Sequence, residues 1–356
     1  MRCHFPSADE TIRRFGVVAR RPGDYFDYSN LGYFVAGAAM SRAAGRSLRE
    51  LLRDEVFLPL GMAHASLGLD STEARLVAVP RSWVLGPVPP QASAPGATDY
   101  ASAEGYASVR DLALFGAFHL EAHRRDQRAI LSDDAIDSMQ HSVLLAGGAR
   151  SSYALGWWIE ENRFGYRSVL AQGGNDRAQA WLRLIPSEGM AVALVVNKGV
   201  AFAETATDAA LGALLPRYAE GLAAREQERA ATQGSARPAS TPMPLDSTVV
   251  GKWAGKIHTA DADIPVSMTI TMNGEVRARL GARSDVGSAR LTTNGRLFIR
   301  IPGDLEAPNP TGKNRETRFY LDPRGERFGG AVSTRPPSVS GLDGTVSYWA
   351  EIARQR

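Results

Sequence analysis

Between about Ala223 and Leu245 the chain offers almost nothing to bury. The composition turns there to Ala, Arg, Glu, Gln, Ser, Thr and Pro, and residues 235–244 contain three prolines. Such a stretch joins cores and does not form one. A chain of 356 residues is also long for a single core. The sequence therefore divides into a first domain over residues 1–222, a linker over 223–245 and a second domain over 246–356.

The two sides carry different apolar patterns. Before the break, helix-start signals recur. Ser47-Leu48-Arg49-Glu50 has the spacing of a capping box, and Ser132-Asp133-Asp134-Ala135 opens a run with acidic residues at its start. Residues 179–185 and 190–197 flank Pro186-Ser187-Glu188-Gly189, which predicts two strands joined by a short hairpin. The second of these is almost continuously apolar, so it is expected to be buried on both faces. After the break, short alternating runs dominate. Residues 249–257, 266–272, 275–280, 296–301, 316–321, 329–334 and 344–350 read as strands, with Asn273-Gly274 supplying a hairpin turn. Strands of this length and spacing suggest a small antiparallel barrel or sandwich.

Chemistry enters at Tyr28-Ser29-Asn30, which leads into the apolar run Leu31-Gly32-Tyr33-Phe34-Val35-Ala36-Gly37. Further on come Phe57-Leu58-Pro59-Leu60-Gly61-Met62, then Ala103-Glu104-Gly105-Tyr106-Ala107-Ser108, then Leu155-Gly156-Trp157-Trp158, and then Gln172-Gly173-Gly174 before the hairpin. In that order these segments resemble the serine β-lactamase-like hydrolases: class C β-lactamases, related esterases and DD-peptidases. The resemblance covers roughly the first 215 residues. It implies an α+β, transpeptidase-like domain with an antiparallel sheet, followed here by the small β-barrel. Gly251-Lys252-Trp253 near the start of that barrel is similar to the lipocalin-like C-terminal domains of some members. Such a domain is either a packing accessory or a lid over the cleft.

The resemblance also implies roles. Tyr28 takes the place of the family's general base or proton relay, and Asn30 that of a contact to substrate and lysine. Gln172, Gly173 and Gly174 stand where a strand edge binds substrate, with Gln172 at the position of the usual cation. A glutamine hydrogen-bonds a carbonyl but brings no positive charge. The family's nucleophile is a serine three residues before a lysine, one helical turn apart, because a serine hydroxyl needs an adjacent base. This chain's lysines are Lys198, Lys252, Lys256 and Lys313, and the residues three before them are Val195, Val249, Trp253 and Pro310. No Ser-x-x-Lys occurs in the sequence, and 27 residues precede Tyr28. The resemblance thus implies a family domain truncated at its N-terminus. Either the intact protein is a serine hydrolase of an ester, amide or peptidoglycan-type substrate, or the chain is a non-catalytic pseudoenzyme that binds a ligand or partner. Loss of the N-terminal strands is expected to expose residues 190–196 as an apolar sheet edge, a route to oligomers or aggregates.

Other readings are bland. Outside this series Tyr28 would be a core aromatic, Asn30 a helix N-cap, and Gln172-Gly173-Gly174 a flexible strand end. Trp157 and Trp158 are expected to face opposite sides of a strand, one in the core and one at its rim. His119 and His123 share a helix face, but Glu121 is misplaced for a metalloprotease motif and no third ligand is evident, so the pair reads as a solvated helix end. Cys3 is the single cysteine and reads as an incidental thiol. The net charge of +3 with scattered arginines gives no nucleic-acid signal. No cofactor, metal, signal peptide or apolar run of 18 residues is read from the sequence, and the compartment stays open.

Overall fold

The computed structural model describes residues 7–16, 18, 21–24, 26–82, 86–93, 101–121, 125–175, 177–199, 202–232, 245–259, 262–292, 295–303, 305, 316–335 and 346–355. Cys3, His123 and the three linker prolines lie outside these residues. The chain forms two compact units, residues 1–16 with 20–235, and residues 17–19 with 236–356.

In the first unit the helices begin where the sequence supplies caps. After α1 (Ala8–Phe15), Ser29 caps α2 (Asn30–Ala44), and Ser47 with Glu50 closes the anticipated capping box on α3 (Leu48–Leu52). Ser108 and Asp111 do the same for α4 (Val109–His119), and Ser132 caps α5 (Asp133–Met139). Leu60, Met62, Phe118 and Ile136 form a small apolar core among these helices. Four strands follow as an antiparallel meander: β1 (Trp158–Arg163), β2 (Tyr166–Gly174), β3 (Gln179–Ile185) and β4 (Met190–Val196). The predicted hairpin is β3–β4, paired from Gln179↔Val196 to Ile185↔Met190.

The sheet is covered on both faces. Trp157, Ile159, Val169, Leu182 and Leu184 build a core with Phe115 of α4. Gly116 lets that helix approach: a Cβ there would lie 3.0 Å from Ala191 Cβ and 3.1 Å from Leu182 Cδ1. On the opposite face Ile185 packs with Leu211, Leu215 and Tyr218 of α6 (Ala203–Leu214) and α7 (Pro216–Thr232).

An ion network ties those last helices to the sheet. Asp208, almost fully buried, accepts from Tyr218 Oη at 2.6 Å and Arg225 at 3.2 Å, and pairs with Arg163. Arg163 also reaches Glu204 at 2.5 Å and Glu160 at 3.1 Å, while the buried Arg183 joins Glu160 and the Ser168 hydroxyl. Burial disfavours the Arg163 charge, but its bonds to Asp208 and Glu204 more than offset this and hold its pKa above the ordinary value. Burial and the bond to Asp208 push the Tyr218 phenol up to about 12.

The second unit is a closed antiparallel barrel of eight strands: β5 (Gly251–His258), β6 (Asp263–Ile270), β7 (Glu275–Leu280), β8 (Arg283–Leu291), β9 (Leu297–Pro302), β10 (Glu316–Arg324), β11 (Arg327–Arg335) and β12 (Val346–Arg354), with β12 pairing back on β5. The interior is packed with Ile257, Met268, Val276, Ile299, Phe319, Val332 and their neighbours, so the barrel is a core and not a cup. Trp253 sits in it edge-on to Phe328, donating its indole N–H to the Val249 carbonyl at 2.9 Å. Gly255 marks a close strand approach, since a Cβ would fall 1.8 Å from the Glu351 carbonyl oxygen.

Several expectations are corrected. β4 is the terminal strand of its sheet and is half-buried, with Val195 41 % exposed, because helices cover its faces while no strand pairs along its outer edge among the described residues. Only beyond its end does Arg81 bridge to Lys198. Residues 223–232, read as linker, belong to α7, since Ala, Arg, Glu and Gln favour a helix. β8 escaped the strand count because its inward positions include Asp285, Gly287 and Ala289 rather than large apolar side chains. His119 is no solvated helix end. It is 3 % exposed, enclosed by Phe115, Phe118 and Trp157. No helix among the described residues is long and apolar enough to cross a membrane.

Two stability measurements follow from the buried charges. Asp208→Ala leaves Arg163 and Arg225 without their shared carboxylate, and denaturant unfolding should report a loss of about 3–5 kcal/mol. Burial pushes the His119 imidazole down to about 4. The unfolded chain takes up that proton near its ordinary pKa of 6.5, so stability is complete above this pH and falls as pH drops toward 4. The loss is on the order of 3 kcal/mol by pH 4, and His119→Phe should flatten that acid limb.

Candidate functional site

Backbone capping sets where the tyrosine motif points. Ser29 is extended (φ −138°, ψ 108°), and its hydroxyl accepts from the Gly32 amide at 3.0 Å, opening α2. Asn30 is therefore the first helical residue and not the cap, and it is exposed. Tyr28, just before the cap, is thrown outward and is 62 % exposed, which excludes the core-aromatic reading.

Tyr28 meets the start of the sheet. Its ring lies parallel to Trp158, the first residue of β1, at 6.4 Å between centroids and 7° between planes. Tyr153 stands edge-on to both, at 6.4 Å and 4.8 Å, and Phe26 packs on Tyr153 and Trp158 at 5.1 Å and 5.4 Å. One turn into α2, the Tyr33 hydroxyl hydrogen-bonds the Tyr153 hydroxyl at 3.0 Å. Burial first, then that bond and the fields of Tyr33 and Tyr28, hold the Tyr153 phenol above its ordinary pKa, so it stays protonated. The two adjacent tryptophans divide as expected. Trp157 is 3 % exposed in the core, and Trp158 is half-buried at the rim.

Strand register creates the second half of the site. β1 pairs with β2 from Arg163↔Tyr166 only as far as Trp158↔Leu170. On its other side β2 pairs with β3 all the way to Gly174↔Gln179. Residues 171–174 therefore present a backbone edge that no strand pairs among the described residues. Gln172, Gly173 and Gly174 on this edge are exposed. Gly173 faces open space: a Cβ there would meet nothing within 4 Å. Gly174 is different. A Cβ would lie 2.6 Å from Gln179 Cγ, because the chain turns back at once through Asn175, whose amide donates to the Ala178 carbonyl at 2.9 Å.

The sequence-derived residues thus fall into two groups linked by Trp158. Tyr28 stacks against that side chain, and the free edge starts one residue past its cross-strand partner. Among the described residues no hydrogen bond joins Tyr28 or Asn30 to Gln172, Gly173 or Gly174. Sequence reasoning missed Phe26, Tyr33 and Tyr153. Phe26 and Tyr33 were within reach as aromatics flanking the motif, but Tyr153 is 120 residues from Tyr33 and carries no local signal. No group of three metal-ligating side chains occurs among the described residues.

The chain is similar to several known proteins. Residues 9–216 match the Beta-lactamase family model. Over 189 residues the chain is 29 % identical to Penicillin-binding protein 4 of Amycolatopsis lactamdurans, an alignment covering 51 % of this chain and 49 % of that one. The chain thus spans about half the length of that curated relative. Among solved structures, the octameric penicillin-binding protein homologue from Pyrococcus abyssi superposes with a TM-score of 0.50 at 19 % identity, covering 97 % of this chain and 70 % of that chain. For the β-lactamase/D-alanine carboxypeptidase from Yersinia pestis complexed with citrate the values are 0.42, 21 %, 55 % and 56 %.

Exposure separates the two aromatic layers energetically. Tyr28→Ala should change unfolding free energy by no more than about 0.5–1 kcal/mol, whereas Trp157→Ala should cost about 3–5 kcal/mol. A large loss from Tyr28→Ala would mean that its ring supports the fold.

Proposed function

We infer function from the premise that this chain belongs to the beta-lactamase family, whose model it matches over more than half its length. The reading is of a serine-hydrolase substrate site for an ester, amide or peptidoglycan-type ligand. The observation that carries it is the unpaired edge at residues 171–174 opening beside Tyr28. An extended amide adds to such an edge as an extra strand, its backbone groups satisfying those of the protein. Gly173 leaves room for it, and Gln172 hydrogen-bonds a ligand carbonyl in place of a cation. Tyr28 serves as the general base or proton relay and Asn30 as a substrate contact.

Turnover needs a nucleophile and its base. These 356 residues hold no Ser-x-x-Lys, and loss of the serine costs on the order of a million-fold in a well-studied serine hydrolase. The chain as it stands therefore binds the ligand without hydrolysing it, and a Ser-x-x-Lys element beyond this sequence would be needed to complete the catalytic centre. The second reading, a pseudoenzyme that uses the cleft only to hold a ligand or partner, rests on the same missing motif.

A serine-reactive phosphonate and intact-mass measurement test this. The expected result is no covalent adduct on the 356-residue chain, together with reversible binding of a neutral peptide amide. An adduct on any serine at the cleft, Ser29 included, would overturn the non-hydrolytic reading.

A further inference from the structure

Tyr28 and Tyr33, on either side of the Ser29 cap, are 62 % and 42 % exposed. The turn before β1 approaches them: a Cβ on Gly156 would lie 3.8 Å from the Tyr33 hydroxyl. Half-buried Phe26, Tyr153 and Trp158 form the layer beneath. Large apolar side chains left together in water cost free energy, and a contiguous patch of them marks a surface that something else covers.

The arrangement also has a shape. Tyr28 and Trp158 are parallel within 7°, and Tyr153 stands at 77° and 75° to them. The exposed Tyr28 ring, at the outer side of this cluster, offers an incoming ring a stacked or an edge-to-face contact. The phenol pair Tyr33–Tyr153 locks the perpendicular ring in place from a helix on one side and the strand approach on the other. At the motif itself the uncharged Gln172 stands where the family resemblance puts a cation.

We propose that Phe26, Tyr28, Tyr153 and Trp158 form a subsite for an aromatic side chain, carried by an uncharged amide or ester whose backbone lies along residues 171–174. This rests on the reading of that edge as the substrate strand. The ring would be held within one or two residues of the ligand bond nearest Tyr28, so the subsite sets which substrates present that bond to the tyrosine.

The test is a chemical-shift titration of the full chain, with the Trp158 indole N–H as reporter. The probes are N-acetyl-Ala-Phe-amide and N-acetyl-Ala-Ala-amide, the former with both L- and D-phenylalanine. The expected result is that one phenylalanine probe binds about tenfold tighter than the alanine probe. Phe26→Ala and Tyr153→Leu, which leave the reporter indole in place, should each abolish that preference while leaving alanine-probe binding within about twofold. Equal binding of the two probes would overturn the subsite and leave the strand-edge reading standing. Failure of every probe to bind would overturn both. Tighter binding of N-acetyl-Ala-Lys-amide than of the phenylalanine probe would also overturn the proposal, since aromatic clusters also attract ammonium groups.

Discussion

The length of one strand decides the site. β1 begins at Trp158, opposite Leu170, while β2 runs on to Gly174. Had β1 begun four residues earlier in the same register, residues 171–174 would be paired on both sides and no edge would remain. Instead the segment before β1 turns aside. The Ala154 amide donates to the Trp157 carbonyl at 2.8 Å, and Gly156 adopts φ 88°, a left-handed value that a side chain would strain. That turn stops the pairing and leaves Tyr153 in the aromatic patch. One local backbone event thus produces both the free edge and its surroundings.

An unpaired edge is useful for recognition only if the strand behind it is stiff. Here β2 and β3 are clamped from both faces. Trp157, Val169 and Leu182 are packed against α4, the Arg163–Asp208–Arg225 pairs bind the other face to α6 and α7, and Arg183–Glu160 joins β3 to β1 within the sheet. Buried ion pairs of this kind contribute little net stability compared with apolar packing, yet removing one partner is costly. Their effect is to fix the helices in a single register over the sheet, which keeps the strand end where a ligand would meet it.

Much of this was legible in the residues. The caps at Ser47 and Ser132, the β3–β4 hairpin, the Asn273-Gly274 turn and most barrel strands follow from local rules of hydrogen bonding and period. Tyr28, Asn30 and the Gln172-Gly173-Gly174 edge were picked out by the order of their motifs, and the structure puts Tyr28 against Trp158 at the start of β1. What stayed hidden depends on partners distant in sequence. The Tyr33–Tyr153 bond, the enclosure of His119 by Trp157 and the half-burial of β4 are set by tertiary packing. β8 was missed for a different reason: a barrel strand with small or paired polar residues pointing inward carries no hydrophobic period.

The most direct measurement is amide hydrogen exchange along β2 with and without N-acetyl-Ala-Phe-amide. If the edge is the ligand strand, amides within residues 171–174 should exchange more slowly when ligand is bound. Val169 and Leu170, already paired on both sides, should change little. Binding that leaves residues 171–174 unprotected, or that protects the barrel strands instead, would contradict the assignment of this edge as the functional site.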